Sequence, residues 1–295
     1  MSMNNICVLD GLLDIVIKLK RWGITKMINI ASPIIESEEI DAVNRVLESG
    51  MIAQGPVVAD LEAEFAKYCG TKFAVAVNSG TAAIHAALHG VGVRPGDEVI
   101  TTPFSFIATI NPILMQGATV KLADIREDDF TIDPIKVKQA ITPRTKAILA
   151  VDLYGQAYDY KALSAIASDA NAHLIEDACQ AVGAEYDGMR TGGLGAVGCF
   201  SLYATKNIMS GEGGMLTTDN EEIAAAAKRF RQHGMTAPYE YAELGFNYRM
   251  TDLQGAIALE QLKKSENFKY ARQRNASIFD EGLKGIAGIV LPIVR

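Results

Sequence analysis

Phe73-Ala74-Val75-Ala76-Val77-Asn78-Ser79-Gly80-Thr81-Ala82-Ala83-Ile84 begins as a short, wholly apolar strand, breaks at a turn of small polar residues, and resumes as an alanine-rich helix that runs to Val91. The rhythm then repeats. Val99-Ile100-Thr101 reads as a strand, Ile107 to Met115 as a helix, Thr119 to Ala123 and Ala147 to Val151 as strands, Tyr160 to Ser168 as a helix and His173 to Glu176 as a strand. Strands that are apolar throughout and alternate with helices predict an α/β fold with a mostly parallel sheet covered on both faces. Ligands of such sheets bind beyond the C-terminal ends of the strands.

Upstream, Ser37 or a neighbour caps a helix to Leu47 that Gly50 ends, and Val57 to Tyr68 has the spacing of a second amphipathic helix. Downstream, Cys199 to Leu202 and Gly214 to Thr218 read as strands and Glu221 to Arg231 as a helix. Thr251 or Asp252 caps a last helix that runs to Lys264 and restarts toward Phe279. The 295 residues are 49% hydrophobic, enough for a large core, and carry a formal charge of −7 with no dense basic run. Nucleic acid and anionic membranes are therefore poor partners. The four cysteines, Cys7, Cys69, Cys179 and Cys199, have no metal-ligand spacing and read as reduced thiols of a cytoplasmic protein. Asp10 and Asp14 interrupt the apolar N-terminal run, which argues against an export signal, and no stretch is long enough to span a bilayer. Residues 1–26 read as an extension without an assigned role.

Gly193-Leu194-Gly195-Ala196-Val197-Gly198 fits the dinucleotide fingerprint, but polar, turn-like residues precede it and a strand follows, the reverse of what that motif requires. Asn78 to Thr81 is a better anion site, because free N–H groups, two hydroxyls and the positive end of a helix converge there; a plain N-cap by Ser79 or Thr81 is the alternative. Glu176-Asp177 closes an apolar strand at the ligand rim, where a buried acid needs a cationic or hydrogen-bonding partner; an N-cap is again the alternative. Lys206 stands between Phe200-Ser201-Leu202 and the glycine-rich Gly211-Glu212-Gly213-Gly214, where a partly desolvated lysine can form a Schiff base, or be an ordinary surface lysine. Taken together, a phosphate cradle, an acid for a ring nitrogen and a lysine are the fixtures that pyridoxal 5'-phosphate requires.

From Met27 onward the chain resembles the DegT/DnrJ/EryC1/StrS sugar aminotransferases, a branch of the fold-type I pyridoxal phosphate enzymes. The resemblance rests on Asn78 to Ala83, Thr102 to Thr109, Glu176 to Ala181, Phe200-Ser201 with Lys206-Asn207, Gly211 to Gly214, and Gly245-Phe246-Asn247-Tyr248-Arg249-Met250. It implies that Lys206 binds the cofactor and moves the substrate proton, that Asp177 keeps the pyridine nitrogen protonated, and that Gln180 contacts the phenolic oxygen or ring. Phe106 would stack on the ring. Ser79, Gly80, Thr81 and Ser201 would hold the phosphate, and Asn247 would reach the phosphate of a neighbouring subunit in a homodimer with shared sites. The implied reaction passes an amine from an amino acid, usually glutamate, to a nucleotide-linked keto sugar. It also implies a large domain over residues 27–250 and the start of a smaller domain at 251–295 that is short by family standards. That shortness leaves a non-catalytic or regulatory remnant as the alternative. A sugar dehydratase is disfavoured, because such members typically carry histidine where this chain has Lys206.

Overall fold

A seven-stranded sheet, whose strands lie side by side in the order Phe73–Val77, Gly214–Thr218, Val197–Ser201, His173–Asp177, Thr145–Val151, Glu98–Thr101 and Thr119–Leu122, organises the protein, whose computed structural model describes residues 32–294. The readings of residues 1–26 lie outside the described residues. Helices α1 (Ser37–Ser49) and α2 (Pro56–Cys69) precede β1 (Phe73–Val77), α3 (Gly80–Gly90) and β2 (Glu98–Thr101). A 3-10 turn (Ile107–Thr109) and α4 (Asn111–Met115) lead to β3 (Thr119–Leu122), α5 (Pro134–Ala140), β4 (Thr145–Val151), α6 (Tyr160–Asp169) and β5 (His173–Asp177). A small hairpin, β6 (Glu185–Tyr186) and β7 (Met189–Arg190), comes before β8 (Val197–Ser201), β9 (Gly214–Thr218) and α7 (Glu221–Phe230). A second hairpin, β10 (Met235–Ala237) and β11 (Glu240–Tyr241), is followed by α8 (Asp252–Lys263) and α9 (Ser265–Leu283).

Strand β9 pairs antiparallel with both β1 and β8, and the remaining pairs are parallel, so six strands point their C-terminal ends to one edge. Side-chain alternation sends Val75, Val77, Leu149, Ile175 and Cys199 to a core shared with α3 and α7. The intervening Ala74, Ala76 and Phe200 pack toward α2 and α8, and Ile148, Ala150 and Leu174 toward α5 and α6. Both faces are thus covered, which is why these strands carry no polar alternation.

The expected continuous helix over Ile107 to Met115 is divided. Pro112 offers no N–H for an intrahelical bond, and the Thr109 N–H instead makes a tight bond of 3.0 Å to the Phe106 carbonyl. Helix α1 is capped by Glu36 in a capping box with Glu39, and α8 by Thr251 with Gln254. Among the described residues no helix is long and apolar enough to cross a membrane.

Candidate active site

Each parallel strand delivers its following loop to the same edge. After β1 the chain turns at Ser79, whose Oγ accepts the Ala82 N–H at 3.1 Å, so Ser79 is the N-cap of α3. The hydroxyl proton remains available to a ligand. The Ser79 carbonyl receives the Ala83 N–H at 3.0 Å, while the N–H groups of Gly80 and Thr81, in the first helical turn, have no partner within the helix.

A Cβ on Gly80 would lie 2.8 Å from Ser201 Cβ and 3.0 Å from Cys179 Sγ. The helix start, the end of β8 and the turn after β5 therefore meet with no room for a methyl group. Gly214 closes the cradle from behind, since a Cβ there would stand 2.3 Å from the Ser79 carbonyl oxygen. A small anion at this helix start would find backbone N–H groups and hydroxyls at close range, the donor set that a phosphate monoester requires.

Asp177 ends β5 on the α3 face and is buried. Its Oδ2 accepts the Thr109 hydroxyl at 2.6 Å, its Oδ1 accepts the Cys179 N–H at 3.3 Å, and the Ser105 and Thr109 hydroxyls lie 2.7 Å apart. Burial, then the Asp177 charge, pushes the Cys179 thiol well above its ordinary range, while the Lys206 charge pulls the other way. Cys179 thus adjoins the Gly80 position and feels the charges of both Asp177 and Lys206. Lys206 itself is half-buried in the loop after β8, its N–H bonded to the Tyr203 carbonyl at 2.9 Å.

Gln180 Oε1 accepts the N–H of Tyr154, a residue held at φ 55° and largely exposed. Phe106 sits in the loop after β2 and is 71% exposed. Asn247 is exposed, and its carbonyl accepts the Asn78 side-chain amide at 3.2 Å. The residues singled out by sequence thus gather at one edge, with Phe106 and Asn247 at its open rim.

Glu176 departs from the expected rim position. Alternation turns it to the opposite face, where it accepts N–H groups from Gly192, Leu194 and Gly195 at 2.7, 2.8 and 2.7 Å. Burial pushes its carboxyl up to about 7 against the pull of those donors. The glycine-rich run that imitates a dinucleotide fingerprint therefore wraps an internal carboxylate, and β8 follows it directly. Asp152, beside it, is raised well above the ordinary carboxylate range by burial and by Glu176. Sequence reasoning gave no role to Ser105, Thr109 or Cys179.

A mostly parallel sheet of this topology, with a helix-start cradle on its first strand and an acid and a lysine on the loops beside it, is the architecture of a fold-type I pyridoxal-phosphate-dependent enzyme. The model of the DegT/DnrJ/EryC1/StrS aminotransferase family matches residues 33–294. The chain is 42% identical over 275 residues to the spore coat polysaccharide biosynthesis protein SpsC of Bacillus subtilis, covering 89% of this chain and 71% of that one. It is 40% identical over 259 residues to GDP-perosamine synthase of Caulobacter vibrioides, covering 87% and 70% respectively. The crystal structure of DesV from S. venezuelae superimposes with a TM-score of 0.86 at 40% identity, over 88% of this chain and 70% of that one. The chain belongs to the DegT/DnrJ/EryC1/StrS aminotransferase family, whose enzymes use pyridoxal phosphate.

Proposed function

We propose that the protein transfers the amino group of an amino acid, glutamate, to the keto group of a nucleotide-linked sugar, in the cytoplasm and in the service of glycan or sugar-metabolite synthesis. The relatives named above, a polysaccharide biosynthesis protein and a GDP-perosamine synthase, support the substrate class. The observation that carries the reading is the meeting of three loops at Cys179, whose sulfur adjoins the Gly80 position and feels both Asp177 and Lys206.

Pyridoxal phosphate, when bound, supplies the electron sink for a carbon that loses its proton. Gly80 and Thr81 would hold the phosphate through their N–H groups, with the Ser79 and Ser201 hydroxyls beside them. Asp177 would accept the ring N–H and so keep the proton on that nitrogen. The Tyr154 N–H occupies the Gln180 carbonyl oxygen, which leaves the Gln180 NH2 as the end that donates to the phenolic oxygen. Phe106 offers an open ring to cover the face of the cofactor. Lys206 would move the proton between the Cα of the amino donor and the aldehyde-derived carbon of the cofactor. Because burial raises the Cys179 thiol, that side chain stays neutral and does not compete with Lys206 as a nucleophile.

Two copies would complete the site, Asn247 of each reaching the other's phosphate. The exposed apolar side chains Phe104 and Ile107 in the loop after β2 and Leu122 at the end of β3 support such a cover.

Mixing the purified chain with pyridoxal phosphate tests the proposal. The wild type is expected to develop the yellow absorbance of a lysine-bound cofactor, Lys206→Ala to lack it, and glutamate to bleach it. A wild type that stays colourless, or a Lys206→Ala band equal to wild type, overturns the assignment of Lys206. A band that forms but resists glutamate overturns the aminotransfer.

A further inference from the structure

We infer that Ser105 and Thr109 are positioning residues for the cofactor ring: their two hydroxyls form a relay that fixes the Asp177 carboxylate at the ring's edge and holds Phe106 against its face. The inference rests on the function proposed above and adds residues to it.

The direction of the relay follows from chemistry. A carboxylate only accepts, so the single hydroxyl proton of Thr109 must point along the 2.6 Å contact to Asp177 Oδ2. The Thr109 oxygen then has only lone pairs to offer across its 2.7 Å contact with Ser105, and Ser105 must donate. The chain runs Ser105 to Thr109 to Asp177, each bond polarising the next. Thr109 is 1% exposed and Asp177 5%, so the bond between them forms away from competing water. With the Cys179 N–H on Oδ1, both carboxylate oxygens are anchored. The plane of the group is set before any ring nitrogen arrives.

The same pair closes the backbone around Phe106. Residues 105 and 109 are joined through their hydroxyls, and the Thr109 N–H bonds the Phe106 carbonyl at 3.0 Å. Phe106 lies inside this clasp in an extended conformation, φ −76° and ψ 146°, and is largely exposed. An exposed phenylalanine on an unbraced loop would lose rotamer and backbone freedom on covering a ring. Here the backbone part of that freedom is already reduced. Edge and face are therefore coupled through one buried threonine.

The test compares Thr109→Val, which keeps the branched shape, with Thr109→Ser, which keeps the hydroxyl, and with Ser105→Ala. For each, one measures the pyridoxal phosphate dissociation constant, the pH titration of the visible band, and the thermal midpoint of the cofactor-free protein. A hydrogen bond to a charged group is lost in Thr109→Val, so affinity is expected to fall about tenfold. Thr109→Ser is expected to stay within about twofold of wild type and Ser105→Ala to fall between. The visible band of Thr109→Val should titrate with a midpoint displaced in the direction that Asp177→Asn displaces it, a readout that a packing defect alone does not move. Unchanged affinity and titration in Thr109→Val, with the wild type yellow, overturn this inference alone. So does a Thr109→Val defect that Thr109→Ser shares and that tracks the loss of thermal midpoint. A wild type that takes up no pyridoxal phosphate overturns the proposed function and this inference with it.

Discussion

At Gly80 the absence of one carbon makes the cradle possible, and the consequence can be measured. A Cβ there would press on Ser201 Cβ at 2.8 Å and on Cys179 Sγ at 3.0 Å. Both atoms are short and fixed to backbone, so relief requires the helix start or the end of β8 to move. Gly80→Ala is therefore expected to destabilise the cofactor-free protein by about 1–3 kcal/mol, as overpacking does. It should also weaken pyridoxal phosphate binding by tenfold or more, read by absorbance titration. Gly282→Ala is the control, because its Cβ meets nothing within 4 Å and it lies inside α9; there alanine's helix preference predicts unchanged or slightly raised stability. Gly80, Asp177 and Lys206 were legible in the sequence because each sits where an apolar strand ends. Thr109 and Cys179 were not. The Thr109 hydroxyl meets an acid 68 positions away across the sheet, and no local spacing encodes that contact.

Among the elements, the segment Phe246 to Tyr248 ties the cradle to α7 and α3. Its backbone bonds Phe230, Arg231, His233 and the Asn78 N–H that opens the cradle turn. Its aromatic rings pack on Phe230 and on His85 of α3, whose Nδ1 lies 3.0 Å from the Tyr248 hydroxyl. His85 is buried, and burial, followed by the charge of His89, lowers its pKa from 6.5 to about 4. A folded-state value below the unfolded one means that the unfolded chain binds the extra proton between these limits. The contribution is whole above about pH 6.5 and is lost as pH falls toward 4, by up to about 1.4 kcal/mol per pH unit. Urea unfolding of wild type and His85→Gln at pH 5 and pH 7 checks this: the difference between the two pH values should be smaller in the variant. An equal pH difference in both proteins excludes His85 as the titrating group. At this scale the strands were legible, since burial on both faces writes an unbroken apolar run. The split at Pro112, helix α5 and the two hairpins were less so. The seven-residue α5, Pro134–Ala140, makes only about two turns, too few for a helical period to stand out in the window of about 11–18 residues over which it is read, and two-residue strands show none.

For the whole molecule, the order of strands does what no single motif can. The cradle follows β1 and the lysine follows β8, with only the antiparallel β9 between them, while the acid ends β5 on the other side of β8. Three sites spread over 127 positions of sequence, from Ser79 to Lys206, thereby share one edge. The sheet class could be read from the alternation of strands and helices, but the reversed β9 could not, because its run Gly214-Met215-Leu216-Thr217-Thr218 is as apolar at its core as its parallel neighbours. What the single chain does not bring to this edge is a second Asn247, since its own is exposed at the rim, where its backbone carbonyl accepts the Asn78 amide and it bridges to Gln232. If Asn247 serves the neighbouring copy, Lys206→Ala and Asn247→Ala damage the same site from different subunits. Each homodimer is then inactive or weakened, yet a mixed dimer carries one site with both defects and one site with neither. Unfolding and refolding the two variants together at equal concentration should give half mixed dimers, and so roughly a quarter of the wild-type rate of glutamate-driven bleaching. If Asn247 served its own subunit, the mixture would hold no intact site and would show only the mean of its parents. The recovery of signal on mixing therefore reads which subunit each residue works in, independently of which sugar the enzyme accepts.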